Sequence, residues 1–335
     1  MQTRHETILR QINNKDKVYN ILCAPTHEGY QSNLGDMKHN FYLFNAKGLK
    51  TWNNKFRSVP KNHFQLDGSN TQLRPDIKID LVLIQNRFDQ YQVLKPIADQ
   101  LNIPTIAVEH TLPLKHNFKM KEMHKLMRAD TNVFITEFQF NLWGWDRDET
   151  ISIIPCCVDE NFFTPSVNKR SDGKILTVCN DYIGRDVFCG FSIYQRLTNG
   201  LPTNPVGDTH GFSEPAKNII DLREKYRNCG VFLNTSTFST MPNTLLEAMA
   251  CGCPIVTTAT CSIPDWVKDG INGFCSNDEA YLRAKLEWCL NNPEEAKETI
   301  GKAARQTIVE SLGINPHLSL WQEAFDKTVS VGKRS

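Results

Sequence analysis

Residues able to do chemistry concentrate between Val231 and Cys275. There a buried apolar run gives way to a Ser/Thr-rich loop, Thr235 to Thr240, then Met241-Pro242-Asn243 and a helical stretch carrying Glu247. Pro242, by its fixed φ, and Asn243, as a cap, suit the start of a helix. A helix that starts at the end of a strand aims unpaired backbone N–H groups out of the sheet edge, where a phosphate can accept them. Glu247, one turn further on, has the reach to accept hydrogen bonds from a ribose diol. As a bare pattern, strand, turn and helix followed by Gly252-Cys253-Pro254 is also an ordinary α/β unit.

Other reactive residues point elsewhere or nowhere. The 11 cysteines are odd in number and mostly sit in apolar runs, as small reduced core residues do. Neither Cys156-Cys157 nor Cys251-Gly252-Cys253 has a second Cys or His pair at zinc spacing, so no metal is expected. Asp146-Arg147-Asp148 has the look of an acidic metal clamp, but it follows Trp143-Gly144-Trp145 in a helix-to-strand connection and reads as a solvated loop.

The elements that must position these residues alternate from end to end. Strands are expected at 18–23, 40–44, 79–85, 105–108, 132–136 and 150–154, and again at 174–179, 205–207, 231–234 and 254–257. Helices are expected near 185–197, 214–227 and 243–251, and the chain after Asp278 reads as almost entirely helical. Such alternation predicts parallel α/β layers. The length, 335 residues, suggests two domains. The stretch Asp159 to Gly173 has little apolar periodicity, and the boundary is set there: 1–160, then 161–315, with a last helix at about 316–331 returning to the first domain. Doubly wound sheets bind ligands at the carboxyl ends of their strands. A site in a cleft that closes on its ligand is therefore expected.

Composition narrows the classes. With 40% apolar and 22% charged residues the chain is globular, not disulfide-scaffolded or disordered. No apolar run approaches the roughly 20 residues needed to cross a bilayer, and the first residues lack a signal-like apolar segment, so a cytoplasmic location is expected. The near-neutral total hides an asymmetry. Residues 1–130 carry 19 Lys+Arg against 12 Asp+Glu, and residues 131–335 carry 19 against 25. Leu114 to Arg128 is especially basic, with Met120, Met123 and Met127 at helical spacing. The methionines read as core packing, and the outer face, Lys119 included, meets nucleic-acid phosphates, an anionic membrane or water.

The run Glu247-Ala248-Met249-Ala250-Cys251-Gly252-Cys253-Pro254 resembles the donor-binding signature of family 4 glycosyltransferases, retaining enzymes of GT-B fold that use nucleotide sugars. Ile154 to Asp159 with Phe163 and Pro165 resembles the family's interdomain run, and Val206-Gly207-Asp208 its Gly-Asp turn. Ser262 to Asp265 with Asp269 to Gly273 resembles a later conserved stretch. The resemblance covers about residues 75 to 290.

It implies two facing Rossmann-like domains and metal-free transfer, with no cofactor beyond the nucleotide sugar, a UDP-sugar in preference to a GDP-sugar. The donor is then met by Asn180, Gly207, Asp208, Ser239, Thr240, Met241, Pro242, Asn243, Thr244 and Glu247. Ser239 stands where the family has its first glutamate, and Asn180 and Arg185 stand where it has two diphosphate-neutralising cations. Arg185 and Glu247 are catalytic candidates. His110, at a strand end, either orients the sugar or is an inert strand-end histidine. His27, Glu28 and Gly29, with Tyr30, replace the family's Gly-rich loop on the acceptor side. The acceptor is a glycan, a lipid-linked saccharide or DNA, the last as in phage-type enzymes acting on hydroxymethylated bases. Ser239 and Asn180, in place of charged residues, leave a non-catalytic sugar-nucleotide-binding module as the alternative.

Overall fold

The computed structural model describes residues 17–26, 28–54, 57–66, 77–113, 117–166 and 171–332. The chain divides into two compact units. The first comprises Met1–Phe134, Trp143–Ile154 and Leu318–Ser335, and the second Ile135–Leu142 and Pro155–His317.

The first unit holds a seven-stranded parallel sheet: β1 (Asn20–Cys23), β2 (Asn40–Leu43), β3 (His63–Gln65), β4 (Leu81–Ile84), β5 (Thr105–Glu109), β6 (Thr131–Phe134) and β7 (Ile151–Ile153), in the order β3-β2-β1-β4-β5-β6-β7. All four side chains of β4, Leu-Val-Leu-Ile, are buried. Such continuous apolar strands are what a parallel sheet covered on both faces demands. The core on one face is built from Leu22, Tyr42, Val82, Ile84, Leu94 and Ala107.

The second unit holds a five-stranded parallel sheet: β8 (Ile175–Val178), β9 (Thr203–Val206), β10 (Val231–Asn234), β11 (Ile255–Thr258) and β12 (Phe274–Ser276), in the order β12-β11-β10-β8-β9. Its core joins Ile175, Val231, Leu233 and Val256 to Leu282, Leu286 and Cys289 of the helix Glu279–Asn291.

Each sheet has one place where the chain reverses its direction of travel. In the first sheet the strands run outward from β1 to β3 and then restart at β4, so the switch lies between β1 and β4. In the second sheet it lies between β8 and β10. Loops leaving neighbouring strands there diverge to opposite faces and leave a crevice at the carboxyl edge.

Several sequence expectations need correction. Strand β1 begins at Asn20 rather than Val18, whose side chain is 47% exposed. Three-residue β3 and β12 went unseen because so short a strand carries no periodicity. The helix expected over 185–197 is two helices, Asp186–Cys189 and Phe191–Thr198, broken at Gly190. Gly190 has φ +73°, and a Cβ there would lie 2.1 Å from the Thr235 carbonyl oxygen. Met127 is buried but Met123 is 48% exposed, so the methionine stripe is only partly core. Among the described residues no helix is long and apolar enough to cross a membrane.

Candidate functional site

At the switch point of the second sheet, the loops after β8, β9 and β10 are stitched into one surface. Asn180 aims its side chain along the edge, and its Oδ1 accepts the Asp208 amide at 2.9 Å. The Asp181 amide returns a bond to the Asp208 carbonyl at 2.7 Å. Tyr182 N donates to Thr209 Oγ1 at 3.0 Å. Gly207 makes this closeness possible: at φ +138°, any Cβ would lie 1.9 Å from the Cys179 carbonyl oxygen. The Gly-Asp turn is thus a steric necessity of the β8–β9 pairing.

The loop after β10 is tied to the same segment from the other side. Thr235 Oγ1 donates to the Cys189 carbonyl at 2.8 Å and also meets the Tyr182 hydroxyl. Thr237 N donates to the Phe188 carbonyl at 2.9 Å. Between these anchors sits Arg185, exposed, at the cap of the short helix Asp186–Cys189. Its charge reaches the neighbouring Cys179–Cys189 thiol pair. The hydrogen bond from Cys179 and then the Arg185 charge lower the Cys189 pKa, while Cys179 is pushed up.

The helix Asn243–Ala250 starts at this edge. Pro242 occupies the cap position, with φ −69° and ψ 114°, and Asn243 is the first helical residue, with no side-chain cap bond. That corrects the expectation that Asn243 caps the helix. Proline's fixed φ suits the cap as well as the first turn, and the leading amides consequently lack a side-chain acceptor. Ser239, Thr240 and Thr244 are half-buried beside this start, and Met241 is buried. The Thr240 carbonyl accepts from the Ser262 hydroxyl, which ties in the loop after β11. Glu247 is half-buried, and its Oε2 accepts the Tyr226 hydroxyl proton at 2.8 Å. Burial and this carboxylate hold the Tyr226 pKa well above its ordinary value.

In the first unit, His27 lies outside the described residues. Glu28 and Gly29 belong to a single helical turn, Glu28–Gln31, after β1. The Glu28 carboxylate is buried against Lys50 Nζ at 2.9 Å and the Asn53 amide at 3.0 Å. His110, following β5, packs edge-on against Tyr30 with ring centroids 4.6 Å apart. Lys119 is exposed on the helix Phe118–Leu126. Asp148 of the acidic triplet accepts from Thr150 and Arg128. Among the described residues no group of three metal-ligating side chains is found.

A buried ionic network behind β5 escaped sequence reasoning. Glu109 Oε2 accepts from His124 Nε2 at 2.8 Å, and Oε1 accepts from Thr111. Because Trp145 Nε1 can only donate, its 2.8 Å bond makes His124 Nδ1 an acceptor and the imidazole neutral. Fully buried Arg87 bonds Asn132 Oδ1 at 2.9 Å and the carbonyls of Met127 and Ala107. Its charge helps hold the Glu109 carboxyl below its ordinary range, while burial lowers Arg87 to about 10. Tyr182 and Tyr226, supports of the second-unit edge, were also missed, and Thr235 was read only as the start of the Ser/Thr-rich loop. Tyr182 and Tyr226 lie in segments whose only sequence signal is an apolar position.

Known proteins resemble this chain in fold and over part of its sequence. Residues 210–292 match the family model of glycosyl transferases group 1. A sulfoquinovosyl transferase of Arabidopsis thaliana is 32% identical over 117 residues, which cover 33% of this chain and 21% of that protein. The match thus spans about a fifth of that relative's length. Anabaena HepE, solved in complex with UDP, superposes with a TM-score of 0.67 at 14% identity, covering 94% of this chain and 100% of that one. Sucrose-phosphate synthase from Thermosynechococcus elongatus gives 0.67 at 13% identity over 94% and 98%. The fold is GT-B, with two Rossmann-like domains.

Proposed function

We propose that this chain is a retaining glycosyltransferase of family 4, moving a sugar from a nucleoside-diphosphate sugar, a UDP-sugar in preference to a GDP-sugar, to an acceptor hydroxyl. The observation that carries the reading is convergence at one switch point. The Asn180–Asp208 clasp, exposed Arg185 and the uncapped start of the helix bearing Glu247 all stand at the carboxyl edge between β9 and β10. The match of residues 210–292 to glycosyl transferases group 1 supports it from sequence. The UDP and UDP-glucose complexes of HepE support a nucleotide-sugar ligand for this fold.

Breaking the bond between sugar C1 and the diphosphate develops negative charge on the leaving phosphate and positive charge on the ring. In this reading Arg185 meets the leaving phosphate with a fixed fork, and the helix-start amides add dipoles that need no reorganisation. Glu247, its orientation fixed by Tyr226, accepts from the ribose diol. Asn180 positions the Gly207-Asp208 turn rather than neutralising charge. No metal or further cofactor enters the scheme. The acceptor is an anionic polymer or a glycan, a choice favoured by the surplus of Lys+Arg in residues 1–130.

The test is a screen of UDP- and GDP-sugars, with released nucleotide and transferred sugar followed by mass spectrometry. Turnover that is lost in Glu247→Ala and Arg185→Ala is expected. Donor binding without turnover under any acceptor would favour the non-catalytic module, and absence of both binding and turnover would overturn the reading.

A further inference from the structure

A pocket of about 370 Å³ opens in the second unit away from the edge just described. Three connections and the helical stretch 293–307 form it: the segment at Pro165 ahead of β8, the end of the helix Ile219–Asn228 ahead of β10, and the Cys251–Cys253 turn ahead of β11. All three precede strands, which puts the pocket toward the amino edge of the sheet, and Tyr226, which lines it, links it to Glu247. Two glycines shape its wall. A Cβ on Gly301 would lie 2.2 Å from the Gly252 carbonyl oxygen, and Gly252 itself has φ +71°.

Four cations, Arg227, Lys297, Lys302 and Arg305, line it with two carboxylates, Glu294 and Glu298, while Glu224, outside the lining, pairs with Arg227 and the Glu160 charge acts on Arg305. The guanidinium groups are held by fixed bonds along one side only. Arg227 donates through Nε to the Thr164 carbonyl at 2.6 Å and through Nη1 to Glu224 at 2.8 Å. Arg305 donates through Nη1 to the carbonyls of Phe163 at 2.9 Å and Ala250 at 3.0 Å. The Nη2 groups of both, and the Lys302 ammonium, have no hydrogen-bond partner among the described residues. Arg305 makes no ion pair there either, and burial lowers its pKa. A partly buried guanidinium bonded only to neutral carbonyls, with the Glu160 charge offsetting its burial only in part, keeps some of its desolvation cost. An anion in the pocket removes that cost, and an arginine fork matches phosphate geometry.

We propose that this pocket binds a small phosphate-bearing molecule, its phosphate gripped by Arg227 and Arg305 with Lys302 at the rim. The volume, at the small end of ligand pockets, suits a phosphate with a short body. The proposal does not depend on sugar transfer.

Titration calorimetry at fixed ionic strength, with inorganic phosphate and with glycerol 3-phosphate, tests it on the wild-type protein and on Lys302→Glu, Arg305→Ala and Arg185→Ala. Saturable phosphate binding is expected in wild type and Arg185→Ala, weakened about tenfold or more by Lys302→Glu and Arg305→Ala. Should Arg305→Ala fail to fold, Lys302→Glu, an exposed position without bonds, decides. Binding of both probes identifies a phosphomonoester site, and binding of inorganic phosphate alone a free-phosphate site. No saturable binding by wild type, or binding weakened by Arg185→Ala and intact in Lys302→Glu, would overturn the proposal.

Discussion

The two sheets share one plan and finish it differently at their switch points. After β1 and β4, the first unit fills the edge with side chains that mostly bond one another, although the buried Gln85 Oε1 has no partner among the described residues. Gln31 and Gln85 bond at 2.9 Å, Gln90 reaches the Ala24 and Pro25 carbonyls, and Glu28 is locked to Lys50. After β8 and β10, the second unit lines the edge with backbone, hydroxyls, one exposed guanidinium and the exposed Asp181 and Asp208. A crevice mostly filled by its own polar groups acts as a scaffold, whereas the one that leaves amides and a cation open is where the proposed donor phosphates would bind.

The largest effect that would sharpen this contrast is in the scaffold. Glu109→Gln removes the carboxylate facing buried His124 and Arg87, and it should cost roughly 3–5 kcal/mol of stability. A urea midpoint equal to that of the wild type would show that the first-unit network is not structural. Arg185→Ala should do the opposite. Turnover should fall about 10²-fold, roughly 2.7 kcal/mol in the barrier, while thermal stability stays within about 0.5 kcal/mol because the side chain is exposed. A large stability loss with unchanged turnover would invert the roles of the two edges.

A smaller and more graded effect is expected with pH. Burial lowers His39 and His63 in the first unit to about 4, and lowers His124 as well; in the second unit His317 is lowered to about 4. For His39 the geometry agrees, since its Nδ1 accepts the Tyr19 amide. A folded pKa below the unfolded value of about 6.5 means that the unfolded chain takes up the protons first. This stability is therefore complete above about pH 6.5 and is lost as pH falls toward 4. Hydrogen-exchange protection compared at pH 7.5 and pH 5 should fall more in the first unit than in the second, and equal losses would break the contrast. The smallest effect is at the surface: Lys119→Ala should change stability by less than about 0.5 kcal/mol. If DNA is the acceptor, it should also weaken a duplex gel shift and flatten its salt dependence.

Much of this was legible before any coordinates. Buried runs such as Val231–Asn234 announce themselves because a strand covered on both faces must be apolar throughout. The helix bearing Glu247 was visible from Pro242 and the apolar spacing behind it. What failed to show had no local cause. Gly190 breaks a helix because the Thr235 carbonyl, 45 residues later in the chain, occupies the space of its Cβ. Asn180, placed by resemblance opposite a phosphate, turns its amide to the Asp208 backbone because β8 and β9 are neighbours.

Sequence by itself determined the layered α/β class, most strands and the helix start at which an anion is proposed to bind, since these follow from periodicity, turn chemistry and charge within a few residues. Only the tertiary structure decided which polar residues are consumed by one another and which are left open. That question turns on contacts between residues far apart in the chain, as when Tyr226 finds Glu247, Trp145 fixes the tautomer of His124, and Arg227 and Arg305 come to face one pocket.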